Sequence, residues 1–62
     1  MGRTWRVTFE FLNEHGEWAQ DYRDGNGCGF GFREADMIKA DLVKRENIRN
    51  VRIEAISETR HW

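Results

Sequence analysis

The 62-residue chain has no proline and a single cysteine, Cys28. Without proline, no position lacks the main-chain N–H that a helix or a sheet ladder uses. One cysteine excludes an internal disulfide. The two histidines, His15 and His61, lie far from Cys28 in sequence, so the four ligands of a tetrahedral metal centre are short of donors. No metal and no cofactor is expected. There is no run of 18 apolar residues, so no membrane-spanning helix is expected. No basic-then-apolar leader stands at the start, so no secretory signal is expected, and the free thiol fits a reducing, cytoplasmic setting. The net charge of −1 supplies no global field toward nucleic acid or acidic lipid. A catalytic domain with its own cofactor fold usually needs about 100 residues or more, so the chain is expected to be one domain (1–62) and not an enzyme.

What is present argues for a folded domain. Hydrophobic residues make up 39%, with three Trp and four Phe, which is too much apolar surface for a disordered chain. A core this small rarely supplies more than about 3–5 kcal/mol. With disulfide and metal excluded, self-association or a partner is the remaining source of stability.

Residues 4–12 read as a strand, because Trp5, Val7, Phe9 and Phe11 alternate with Thr4, Arg6, Thr8 and Glu10. Asn13 to Gly16 reads as a turn, and 17–23 as the return strand. A four-residue loop would pair Phe11 with Trp18 and Val7 with Tyr22, gathering the aromatics on one face. That register is expected over the three-residue loop, since a half-buried sheet needs one apolar face. Residues 24–29 form a glycine-rich loop. Residues 32–46 read as a helix, with Ala35, Ile38 and Leu42 on one stripe, Met37 and Val43 widening it, and Asn47 as a left-handed stop. Residues 51–56 alternate again as a third strand, and 57–62 read as a tail. The expected fold class is α+β: a two-layer β-β-α-β sandwich with a three-stranded antiparallel sheet, order 2-1-3, and one helix on one face.

Charge is unevenly distributed. Between Glu10 and Asp24 five acids face one base, Arg23; between Lys44 and Arg52 four bases face one acid, Glu46. The acidic hairpin, Glu14, Glu17 and Asp21, is a candidate surface for a protein partner, because rigid carboxylates can occupy a phosphate-binding groove. Lys44, Arg45, Arg49 and Arg52 form an alternative surface for DNA or RNA, with Arg6 and Arg3 extending it. Trp5, Trp18 and Tyr22 are candidate interface aromatics, since Trp and Tyr carry much of the energy of protein interfaces. Gly25, Gly27, Gly29 and Gly31 open the helix, but their spacing is neither a P-loop nor a dinucleotide fingerprint. Cys28 has no clearly placed base beside it. An open sheet edge is expected to permit a homodimer.

Three stretches carry a resemblance: Trp5-Arg6-Val7-Thr8-Phe9-Glu10-Phe11, Gly29-Phe30-Gly31-Phe32 before a helix containing Glu34-Ala35, and Ile48-Arg49-Asn50-Val51-Arg52-Ile53-Glu54. With this layout the chain resembles the short β-β-α-β accessory proteins of Firmicutes phages and mobile elements. Some of these inhibit host defence, anti-CRISPR proteins among them, and others bind DNA or RNA. The resemblance implies a non-enzymatic, macromolecule-binding accessory protein working in a bacterial cytoplasm, an inhibitor of a nucleic-acid-processing defence system. The alternative is a small nucleic-acid binder using the basic patch. The resemblance assigns no functional residue.

Overall fold

The structure is a computed structural model that describes residues 3–25 and 27–56. The elements are β1 (Thr4–Leu12), β2 (Trp18–Arg23), α1 (Phe32–Leu42) and β3 (Ile48–Ile56). The three strands form an antiparallel sheet of order β2-β1-β3 with α1 on one face, the expected α+β sandwich. β1 takes the centre because it is the longest fully alternating strand: Val7 and Phe9 face the helix and are buried. They join Ala35 and Leu42 in the core, with Trp5, Phe11, Phe30, Ile38, Ile48, Val51 and Ile53 packed around them. The expected tail 57–62 lies outside the described residues.

One register and one strand boundary differ from expectation, each for a local reason. The hairpin loop has three residues, Glu14 to Gly16, so Leu12 pairs with Trp18, Phe11 with Ala19 and Thr8 with Tyr22. The Asn13 carboxamide oxygen accepts from both His15 N–H and Glu17 N–H at 2.9 Å, and Gly16 turns at φ 77°. That Asx-plus-glycine closure outweighs the demand for one aromatic face. Trp18 and Tyr22 therefore stand on the sheet face opposite the helix.

The third strand begins at Ile48, not at 51. Between the pairs Thr8–Arg52 and Glu10–Arg49, β1 advances two residues and β3 three. This is a β-bulge, with Asn50 at φ 54°. The extra residue lets Ile48 pair with Phe11 and Ile53 with Val7, so both turn toward the helix despite their odd spacing. The left-handed asparagine is thus Asn50, and Asn47 instead gives its carbonyl to Leu12 N–H at 2.9 Å.

The helix ends at Leu42, four residues early, because the chain tightens: Lys44 N–H bonds Asp41 O and Arg45 N–H bonds Leu42 O. Met37 and Val43 are exposed and do not widen the packed stripe. At the start, the Glu34 carboxylate accepts from Gly31 N–H at 3.3 Å, half of a capping box whose other half glycine cannot supply. Among the described residues α1 rests on β1 and β3 and not on β2, which no described element covers on either face.

Candidate functional site: the uncovered sheet face

Side chains alternate across a strand and directly paired residues share a face. The register therefore puts Arg6, Thr8, Glu10 and Leu12 of β1 on the side away from α1. Beside them stand Trp18, Gln20 and Tyr22 of β2, and Arg49, Arg52 and Glu54 of β3. Arg6, Thr8, Gln20, Tyr22, Arg52 and Glu54 line an open depression of about 460 Å³.

Two arginines lie on the two aromatic rings. The Arg49 guanidinium is 4.1 Å from the Trp18 ring centre, and that of Arg6 is 5.5 Å from Tyr22. At an exposed site each such stack contributes about 0.5–1 kcal/mol. The stacks hold rings that have no hydrophobic layer above them; Tyr22 is 52% exposed and Trp18 37%.

Arg49 is also held by its charge. Its Nε donates to Glu10 Oε1 at 2.6 Å, and Asn50 Nδ2 donates to the same oxygen at 3.0 Å. The Arg49 hydrogen bond, then that from Asn50, keeps the Glu10 carboxyl below the usual carboxylate range. The charges of Arg49 and Arg52 add to this, and partial desolvation opposes it. Arg6 is less well satisfied. Its Nε is covered from solvent without a hydrogen-bond partner, and Glu54 Oε1 stands 3.6 Å away. Arg52 has no carboxylate within 4.0 Å among the described residues.

The sequence-derived candidates scatter over this frame. Of the interface aromatics, Trp18 and Tyr22 meet on the uncovered face. Trp5 points the other way, half-buried, edge-on to Phe32 at 5.1 Å. Of the basic set, Arg49 and Arg52 reach the uncovered face, while Lys44 and Arg45 follow α1, where Arg45 pairs with Asp41 at 3.0 Å. The acids split as well. Glu14 is in the hairpin loop, Glu17 just past it, and Asp21 pairs with Phe9 in register and uses its carboxylate to accept Tyr22 N–H at 2.7 Å. The glycine loop is closed on itself: Gly27 N–H goes to Asp24 Oδ1 and Gly29 N–H to Asp24 O. Cys28 is an exposed free thiol on that loop.

The sequence reading missed Gln20 and the two rings as members of this face. The signal was available: Asn13 and Gly16 three apart mark a three-residue hairpin loop. Among the described residues, no three of His, Cys, Asp and Glu gather as metal ligands would, and no helix is long and apolar enough to cross a membrane. Compared with protein families, with curated proteins and with solved structures, the chain finds no match.

Proposed function

We propose that this chain is a binding module without chemistry of its own, and that it grips a protein partner with the uncovered face of its sheet. One observation carries the reading: Trp18, Tyr22, Arg6, Arg49 and Arg52 share that face. Trp, Tyr and Arg are the residue types that dominate interface energetics. Three arginines interleaved with Glu10 and Glu54 suit a partner that itself carries both signs, and a phosphate backbone carries only one. The exposed Glu14 and Glu17 lie beyond the Trp18 end of the face and extend it with acid. Given its resemblance to phage and mobile-element accessory proteins, a nucleic-acid-processing defence complex of a bacterial host is the partner class to try first, with inhibition as the outcome.

A second reading, single-stranded DNA or RNA on the same face, is favoured by Arg52, which has no carboxylate partner among the described residues. Bases would stack on Tyr22 or on a guanidinium plane.

The test uses labelled single-stranded and duplex oligonucleotides in fluorescence anisotropy, beside cross-linked capture from a bacterial lysate. Three forms are compared: wild type, Arg6→Ala/Arg52→Ala, and Glu14→Lys/Glu17→Lys. The proposal expects one captured protein, lost with the arginine variant, and no oligonucleotide binding at low salt. Loss with the lysine variant alone would move the site to the hairpin. Oligonucleotide binding with a log–log salt slope of about −2, as for three phosphate contacts on a single strand, would replace the proposal with the second reading.

A further inference from the structure

β2 is an edge strand whose free side can be read residue by residue. Asn13 N–H donates to Glu17 O at 2.8 Å, and Trp5 and Phe30 exchange both main-chain bonds farther along the same edge of β1. Bonded pairs alternate along an antiparallel ladder. With the observed register, Ala19, Asp21 and Arg23 therefore turn their main-chain groups to β1, and Trp18, Gln20 and Tyr22 turn theirs outward. A second strand can bond only to those three.

If that strand is β2 of another copy, running antiparallel about a two-fold axis normal to the sheet, each residue meets its mirror position across the axis. Five centres on β2 keep outward groups facing outward groups, and the two at its ends, Trp18 and Tyr22, pair only that one outward residue of the strand with its own copy. Centred on Asp21, the axis sets Asp21 against Asp21. Centred on Ala19, it sets Glu17 against Asp21. Both oppose like charges, which destabilises a pair of strands. Centred on Gln20, it sets Glu17 against Arg23 twice, Trp18 against Tyr22 twice, Ala19 against Asp21 twice and Gln20 against Gln20. Neither Glu17 nor Arg23 has an ion-pair partner among the described residues. This register also uses all three outward residues, for about six main-chain hydrogen bonds.

We propose that two copies of this chain pair β2 with β2 about Gln20, forming one six-stranded antiparallel sheet. The uncovered faces then become continuous. Trp18, under its Arg49, abuts Tyr22 of the second copy, under its Arg6, so the joint lies within a doubled aromatic and arginine surface. One existing contact gives way: the Asp21 carboxylate releases Tyr22 N–H, which donates instead to Trp18 O of the second copy. Asp21 then stands opposite Ala19, the smallest side chain of the strand. The β3 edge is the competing joint, since an axis at Ile53 would set Arg52 against Glu54. There, Glu54 is already beside Arg6, and the bulge at Asn50 bends the strand.

Analytical ultracentrifugation of the full chain up to about 200 µM tests the pairing. Wild type is expected to approach twice the 7.4 kDa chain mass. Glu17→Arg and Arg23→Glu, each creating a like-charge pair at both ends, should each weaken the dimer about tenfold, and the double swap should restore it. Gln20→Pro removes an outward N–H that no described strand uses and should give a folded monomer by circular dichroism. Arg52→Glu should leave the dimer intact. A monomeric wild type overturns the proposal, as does a dimer indifferent to Glu17, Arg23 and Gln20. A dimer broken by Arg52→Glu and not by Arg23→Glu overturns it in favour of the β3 edge.

Discussion

Asn50 offers a test in which two physical arguments give opposite signs. It lies inside β3 by sequence, between Arg49 and Val51. Were it an ordinary strand residue, Val would suit it better than Gly by up to about 1 kcal/mol. In the structure it is the extra residue of a bulge at φ 54°. There a β-branched side chain is strained by about 1–3 kcal/mol, and glycine is not. Asn50→Gly and Asn50→Val lose the same hydrogen bond to Glu10 Oε1, so comparing them cancels that contribution. The expected result is Gly above Val by about 1–2 kcal/mol. For a domain of this size each kcal/mol shifts Tm by about 4–8 °C, so the two melting curves should be visibly apart. Urea unfolding with equal m-values would show that the difference is one of stability. Val equal to or above Gly would mean that β3 runs without the bulge. Ile48 and Arg49 would then exchange faces, and the uncovered surface described above would lose Arg49.

Other perturbations have equally definite outcomes. Leu42 is 2% exposed at the centre of the core, and Leu42→Ala should cost about 2–5 kcal/mol. That rivals the whole stability of so small a domain, and circular dichroism at 25 °C should show a largely unfolded chain; a native spectrum would put Leu42 outside the core. The Glu10 carboxyl titrates lower folded than unfolded, so its contribution is present above the ordinary carboxylate range and is lost as pH falls through the lowered value. Wild-type Tm should therefore drop on acidification below about pH 4 more steeply than that of Glu10→Gln. Parallel curves would contradict the Arg49–Glu10 bond. At Gly29 a Cβ would lie 2.5 Å from Thr4 Cβ at φ 84°, whereas at Gly16 it would meet nothing within 4 Å. Gly29→Ala should sharply lower Tm and Gly16→Asn should change it little, because asparagine tolerates the left-handed region. Equal effects would refute the close approach of the glycine loop to β1.

Much of the architecture was legible before any coordinates. The period-two run of Trp5, Val7, Phe9 and Phe11 marked β1 with its bounds and its inner face. The stripe Ala35, Ile38 and Leu42 marked the helix, and the apolar content of β1, which favours the middle of the sheet, pointed to the order 2-1-3. The candidate site was much less legible. Its membership depends on two odd-numbered insertions, a three-residue loop and a one-residue bulge, and each inverts the facing of everything beyond it. The rule of one apolar face misled at Trp18 and Tyr22, because arginine stacks can support a ring on a polar face and the rule counts only burial.

By itself, then, the chain's residue pattern determined the local structure: which segments are strands, which is helix, and that Val7 and Phe9 face inward. Such properties follow from neighbours along the chain. Only the tertiary structure decided which charged and aromatic residues stand together. Glu10 and Arg49 are 39 positions apart, and their meeting depends on a hydrogen-bond register that turns on single residues, Gly16 and Asn50, able to hold positive φ.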